Sequence, residues 1–566
     1  MNLQESIRIS LEKAVETVAG RHVEVALEHP RLSAHGDFTT NVALLLGGNP
    51  REVAEKILAV WEKPSVVVSA DIAGPGFINI RLSERALLDS LKEAFRLGEH
   101  FGKSQSFRKK KVIIEYTDQN PFKEMHVGHL YSNIIGESIS RLFEAGEADV
   151  RRAIYQGDIG LHVAKAVWGM RVLMEEQKLG LEELDQKESR ERVAFLGKAY
   201  VLGATRFEDD KNVQEEITRL NKKIYERDKE VKEIYETGRK WSLEDFERMY
   251  ARLGTKFDFY YLESGMSHKG INIVRENLKK GVFEESDNAI IFPGEKVGLH
   301  TRVFINSLGL PTYEAKELAL APTKYKDFPY DVSIIVTGND IIEYFKVILK
   351  ALEKIDPELA GKTRHIGHGM IRLPEGKMSS RTGNVLTAEW LLDEAKKRLT
   401  ATYQEMEKET ADKVAVGAIK YALLKVSIGQ DVSFSFEKSL NFEGDSGPYI
   451  QYTHARTQSV LANSKQKTQN AKLNVKIKLN DEELAILRYF YRFPEVVQQA
   501  TESFTPNILC TFLFDLAQRY NAFYNKHRIV DAENTSREFR LLLTSVVGTI
   551  LKNGLWLLGI QAPTKL

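Results

Sequence analysis

Lys111-Val112-Ile113-Ile114-Glu115-Tyr116, running through Thr117-Asp118-Gln119-Asn120-Pro121-Phe122-Lys123 into His126-Val127-Gly128-His129, is the stretch on which the fold turns. Its first part is rich in β-branched and apolar side chains, too short for a helix and closed by turn formers, which predicts a buried strand. Beyond it Leu130, Ile134, Ile135, Ile139, Leu142 and Phe143 recur at helical spacing up to Gly146, which predicts an amphipathic helix with a glycine stop. The two histidines therefore sit at a strand-to-helix junction. Free backbone N–H groups and the helix dipole favour an anion there, and Gly128 lets a nucleotide approach the backbone closely. Two imidazoles at that point can donate hydrogen bonds to phosphate oxygens as charge builds on them. A helix start with two incidental histidines is the alternative for so short a match.

A second segment favours the first reading. Glu375-Gly376-Lys377-Met378-Ser379-Ser380-Arg381-Thr382-Gly383-Asn384 is a glycine-flanked loop rich in lysine and serine, as a mobile lid over ATP phosphates requires. Together, in this order, the two segments suggest an enzyme that binds ATP and transfers adenylate. A literal His365-Ile366-Gly367-His368 also occurs, but it leads into Gly369-Met370-Ile371-Arg372-Leu373, which reads as a strand with no long amphipathic helix behind it. That copy is taken as a decoy, with His368 still available to line the pocket wall.

The 566 residues should form about three or four domains. Because 80 basic side chains stand against 79 acidic ones, a nucleic-acid partner must be met by local basic patches and not by a global field. The single cysteine, Cys510, excludes a disulfide framework or a thiolate metal cluster. No signal-peptide pattern opens the chain and no apolar run reaches about 18 residues, so a soluble cytoplasmic protein is expected. Residues 1–107 read as a small α+β unit, after which the basic run Arg108-Lys109-Lys110-Lys111 is taken as a solvated linker. Residues 108–390 alternate short apolar strands with helices, which argues for an open, mostly parallel sheet, interrupted at about 165–255 by a densely charged helical insertion. Beyond 390 strand signals nearly vanish: residues 391–445 read as connector helices and 446–566 as a helical bundle.

Over essentially its whole length the chain resembles the arginyl-tRNA synthetases, within the class I aminoacyl-tRNA synthetases. HVGH resembles their HIGH signature and KMSSR their KMSKS loop. More specific matches are Glu115…Asn120-Pro121-Phe122-Lys123…His126, Gly157-Asp158-Ile159-Gly160, Pro311-Thr312-Tyr313-Glu314-Ala315-Lys316-Glu317, and the run from Gly444-Asp445-Ser446-Gly447 to His454-Ala455-Arg456. The resemblance implies an α/β multidomain protein: a Rossmann-like parallel-sheet catalytic domain, an N-terminal α+β domain at the D-loop corner of tRNA, and a C-terminal all-α anticodon-binding bundle. It implies ATP-dependent activation of L-arginine, Mg2+ on the phosphates without a tightly held protein-ligated metal, and transfer of arginine to tRNA(Arg), with adenylate formation requiring tRNA. A monomer is implied.

The same resemblance assigns His126, Gly128, His129, Gly157, Asp158, Gly338, Asn339, Met378, Ser379 and Ser380 to ATP, with His126, His129, Lys123 and Lys377 catalytic. Ser380 stands where KMSKS has its second lysine, and Lys123 is the expected substitute; an exposed turn lysine is the alternative. Glu115 and Asn120 are expected at the α-amino and carboxylate end of arginine, and Glu263, Tyr313 and Glu317 around its side chain, because paired carboxylate oxygens accept the forked guanidinium donors. Glu317 departs from the commoner aspartate, and Ile341 stands where many relatives have glutamine. For tRNA the candidates are Phe77, Asn79, Arg519, Tyr520, Tyr524 and Lys526; helix core is the alternative for Tyr520 and Phe523. Glutamyl or class I lysyl enzymes and a catalytically silent RNA-binding paralogue are the rival readings.

Overall fold

Val112, Ile113 and Ile114 are buried, as β-branched residues are in a parallel sheet covered on both faces. In the computed structural model, which describes residues 3–30, 32–373, 386–464 and 478–566, Lys111–Tyr116 is the central strand of five. The order across the sheet is Thr363–His368, Val332–Gly338, Lys111–Tyr116, Asp149–Gln156, Phe259–Leu262, all parallel. Successive strands add to one side of Lys111–Tyr116 and then to the other. The crevice outside the carboxyl ends at such a reversal is where open α/β sheets bind ligands.

The helix Val127–Ala145 follows the central strand and is buried along most of its length. Its polar side chains are paired inside: Asn133 donates to Thr117 Oγ1 at 3.0 Å and accepts from Thr255 Oγ1 at 3.0 Å, and Glu137 accepts from Tyr116, Arg141 and Arg152. The helical insertion comprises Leu161–Gln177, Leu181–Asp185, Ser189–Asp209, Lys211–Tyr225 and Lys229–Leu253. Leu161–Gln177 and Ser189–Asp209 meet backbone to backbone, since a Cβ on Gly169 would lie 1.9 Å from the Ala199 carbonyl oxygen and one on Gly203 2.0 Å from that of Lys165. Phe122, from the turn before the signature, enters the insertion's own core beside Trp241 and Leu196.

The decoy is itself a sheet strand. Thr363–His368 pairs with Ser333–Gly338, whereas of 369–373 only Ile371–Arg372 is extended, and it pairs with Val432–Ser433 outside the main sheet. The chain is turned away by Asp431, which accepts from Met370 N at 2.8 Å and from the Arg372 guanidinium.

The chain divides into two compact units. One holds Gly102–Ala455, Pro494–Asp515 and Leu551–Leu566, and contains this sheet; the other holds Met1–Phe101, Arg456–Phe493 and Leu516–Ile550. In the latter, Phe38–Thr40, Phe77–Leu82 and Val67–Ala73 form an antiparallel sheet. The buried Asp37 accepts from Leu82 N at 2.7 Å and pairs with Arg488, so the first and a late segment of the chain share one folded unit. No helix among the described residues is long and apolar enough to cross a membrane.

Candidate active site

The turn leaving the central strand is strained and tightly held. Thr117, Asp118 and Phe122 adopt φ of 82°, 43° and 67°, which L side chains rarely tolerate, a β-branched one least. Asn133 fixes Thr117, Asp118 Oδ1 accepts from Tyr155 N at 3.0 Å, and Ser242 Oγ accepts from Phe122 N at 2.8 Å. This turn carries Asn120 and Lys123 over the carboxyl edge of the sheet.

His126 is the N-cap of the following helix. Its Nδ1 accepts from the N–H groups of Gly128 at 3.0 Å and His129 at 3.4 Å, which leaves the ring proton on Nε2. Val127 N donates to Leu386 O at 3.1 Å and Leu130 N to His126 O at 3.2 Å. The first-turn N–H groups are therefore satisfied within the protein, which corrects the expectation of free donors there. Gly128 is explained by the same ring: a Cβ would lie 2.9 Å from His126 Cε1, so the missing side chain makes room for the imidazole. His129 stacks on His126 with centroids 3.6 Å apart, and its buried Nδ1 has no hydrogen-bond partner among the described residues. Burial, then the charge of Lys123, holds His126 down to about 4, and burial, then His126, lowers His129 as well, so both imidazoles are neutral near pH 7. Lys123 is half-buried, not an exposed turn lysine. Asp340, beside Gly338 and Asn339, also acts on His126, so those two residues end the neighbouring strand on the same side.

Residues 374–385, with Lys377, Met378, Ser379 and Ser380, lie outside the described residues. The segment after them is anchored to the signature: Thr387 bridges His126, and Ala388 N donates to Met125 O at 2.7 Å.

On the other side of the turn lies an acidic pocket. Glu115 pairs with Lys324 at 2.5 Å and Glu263 pairs with Lys316, all four buried. Glu317 faces the same groups, is half-buried, and has no hydrogen bond or ion pair among the described residues. Burial raises its carboxyl well above the usual range, Glu115 adds to the rise, Lys324 opposes it, and Asp118 and Glu263 add further. Four carboxylates here face two ammonium groups, which leaves a place for one more cation. Tyr313 is half-exposed at the rim, with its hydroxyl 3.2 Å from His162 Nδ1 and Lys316 Nζ 4.5 Å from its ring centre. A Cβ on Gly157 would collide with Asn120 Oδ1 and approach Glu263, so Gly157, expected at ATP, packs beside the acidic pocket. Asp158, also expected at ATP, is fully buried; Ser264 N, Ser264 Oγ, Tyr235 and Arg239 saturate its oxygens, so it ties the insertion to the sheet.

Several residues of this site are not apparent in the sequence. His162 bridges Gly157 O at 2.8 Å and Tyr313, and burial, then Lys123, lowers it to about 3. Its position two residues past Gly160 is the one local signal. Tyr155 has a buried hydroxyl, unpartnered among the described residues, on which Glu263 and Glu317 act, yet in sequence it is one more aromatic in a strand. His368 is buried with both nitrogens engaged, by Ser132 Oγ at 2.8 Å and Gly369 O at 2.8 Å, so it is a wall residue with no free donor.

The tRNA candidates fall in the other unit. Phe77 is half-exposed and Asn79 accepts from Thr39 Oγ1 at 2.9 Å. Arg519 lies 3.9 Å over the Tyr489 ring, Arg456 4.6 Å over the partly exposed Tyr524, and Lys526 pairs with Glu482. Tyr520 and Phe523 are wholly buried, so helix core holds for both, and Tyr520 is unavailable for stacking on a base.

Comparison with known proteins agrees with this architecture along the chain. The family described as tRNA synthetases class I (R), catalytic domain, matches residues 91–436; the arginyl tRNA synthetase N terminal domain matches 1–82, and the DALR anticodon binding domain 450–566. The arginine–tRNA ligase of Fusobacterium nucleatum is 32% identical over 94% of this chain and 93% of its own length, and that of Bdellovibrio bacteriovorus 30% over 96% and 94%. The solved Thermus thermophilus arginyl-tRNA synthetase superposes with a TM-score of 0.80 at 24% identity, each chain wholly covered, a likeness of fold. With the catalytic match covering more than half its length, this chain belongs to the arginyl-tRNA synthetase family of class I.

Proposed function

We infer that the protein is an arginine–tRNA ligase. A carboxylate oxygen of L-arginine attacks the α-phosphorus of ATP, the α–β anhydride bond breaks, and pyrophosphate leaves. A terminal ribose hydroxyl of tRNA(Arg) then attacks the arginyl carbonyl, and AMP leaves. Neither step needs a protein nucleophile, so the protein positions reactants and stabilises charge.

The observation that carries this reading is Glu317, a half-buried carboxylate without an ionic partner among the described residues, in a pocket with two more acids than ammonium groups. A planar, permanently charged guanidinium fits that need, and Tyr155 offers a further hydroxyl. Glu263 and Tyr313 flank the arginine side chain; Asn120 and Glu115 set its α-amino and carboxylate end. ATP lies along His126, Gly128, His129, Gly338 and Asn339, where neutral imidazoles donate through nitrogen without adding fixed charge. Lys123 and Lys377 meet the phosphates, roofed by Met378, Ser379 and Ser380. Mg2+ carried by the phosphates would supply the remaining charge neutralisation beside Lys123.

In this reading residues 1–107 meet the D-loop corner of tRNA through Phe77 and Asn79, 108–390 catalyse, 391–445 connect, and 446–566 read the anticodon through Arg519, Tyr524 and Lys526. The enzyme works as a cytoplasmic monomer and forms adenylate only with tRNA bound. Pyrophosphate exchange measured with each amino acid, with and without tRNA, tests this: arginine alone should support exchange, and only with tRNA. Exchange indifferent to arginine rejects the pocket assignment, and none under any condition indicates a silent paralogue.

A further inference from the structure

The ammonium group of Lys123 has no carboxylate partner among the described residues. It lies instead over the ring of Tyr200, 4.1 Å from Nζ to the centroid. Its charge bears on His126 and His129 at the helix start and on His162 beside the pocket rim, so it stands among neutral imidazoles. Tyr200 belongs to the insertion helix Ser189–Asp209, whose place is set by the close crossing at Gly203 and by the buried Ala199 and Leu196. The Tyr200 hydroxyl in turn bears on Tyr313 at the rim of the acidic pocket. The ring therefore lies near both halves of the site, on a helix packed into the insertion's core.

We propose that Tyr200 is a positioning residue that holds the Lys123 ammonium in line for the triphosphate, making the helical insertion a working part of the adenylation site. This rests on the reading that Lys123 meets the phosphates. A carboxylate would orient a lysine equally well but would cancel the charge the phosphates need, whereas an aromatic face attracts a cation and leaves it charged. The flexible four-carbon stem also makes such a hold useful, because an unheld ammonium samples many positions.

The test is tRNA-dependent pyrophosphate exchange by the full chain at saturating ATP. Tyr200→Leu should lower kcat about 3- to 30-fold with the arginine KM unchanged, the range a cation–π contact covers. Tyr200→Phe, which keeps the ring, should restore the rate to within about twofold. Tyr200→Met fills similar space without a π-face and replaces the leucine variant where that is unstable. In a Lys123→Ala background either substitution should add nothing. A near-normal rate for Lys123→Ala alone overturns the phosphate reading of that lysine. A slow Lys123→Ala with a normal Tyr200→Leu, with losses that multiply, or with a raised arginine KM leaves the lysine reading standing and overturns the role of Tyr200.

Discussion

Glu317→Gln removes one negative charge from the acidic pocket while keeping shape and an acceptor oxygen. In the free site the Glu317 carboxyl is held well above the usual range, first by burial and then by Glu115. On the proposed reading arginine binds its ionised form, so binding releases a proton whenever the free site is protonated. With falling pH the site takes up a proton that must leave before the guanidinium enters, and affinity drops. Below the free-site pKa the arginine KM should rise about tenfold per pH unit, and above it level off. A charge-assisted hydrogen bond contributes roughly 1.5–3 kcal/mol, so Glu317→Gln should raise the arginine KM on the order of 10- to 100-fold and flatten its pH dependence. Both are read from arginine titrations of pyrophosphate exchange from about pH 6 to about pH 8.5, with tRNA saturating. A KM close to that of the parent, or an unchanged slope against pH, would show that the guanidinium is recognised elsewhere.

Lys123→Ala should lower the exchange rate about 100-fold with the arginine KM little changed, as when a charge contact forms mainly in the transition state; single-turnover measurement checks it. His126→Asn should keep the helix cap and the melting temperature while losing activity, whereas His126→Ala should also cost about 1 kcal/mol of stability, seen by thermal unfolding. Because burial holds His126 at about 4 and His162 at about 3, kcat should show no histidine limb near neutral pH, its loss appearing only at more acid pH. Lys420 donates to Leu253 O and Gly559 O at 2.6 Å each, and burial, then Arg141, lowers it to about 7. From about pH 7 up to its ordinary value the unfolded chain binds that proton and the folded one does not. Stability should therefore gain up to about 1.4 kcal/mol per pH unit over that window, a gain that Lys420→Met abolishes in denaturant titrations.

The sheet was legible because Lys111–Tyr116 and Val332–Gly338 are short β-branched runs, a local signal that tertiary packing reinforces. The signature helix was legible for the same reason, and so was the insertion, whose charged amphipathic helices announce themselves. Burial and pairing were not. Nothing local distinguishes Asp158, which the insertion consumes through Tyr235 and Arg239, from a carboxylate facing a ligand. Tyr520 has the basic and aromatic neighbours of a stacking platform, and only the packing of the helices shows its ring turned inward. Tyr155 and His162 matter through partners far away in sequence, so periodicity could not find them. Gly369-Met370-Ile371-Arg372-Leu373 misled because its composition suits a strand, while Asp431 draws the chain out of the sheet.

The two halves of the site solve opposite electrostatic problems with one turn. On the side proposed for arginine the protein leaves Glu317 without an ionic partner, so its carboxyl holds a proton more readily until a guanidinium takes that place. Toward ATP it keeps its histidines neutral, although a positive charge would bind phosphate more tightly. A fixed imidazolium would attract the ground-state triphosphate and the departing pyrophosphate alike, and such uniform attraction does not speed the chemical step. Neutral N–H donors add little to ground-state binding and strengthen as charge develops on the phosphorus oxygens. In the proposed reading the positive charge needed at that moment comes from Lys123. The positive φ angles at Thr117, Asp118 and Phe122 fit this division, because one short turn must present Asn120 to one side and Lys123 to the other. That demand explains why its strained backbone is held by Asn133, Tyr155 and Ser242 from three different segments.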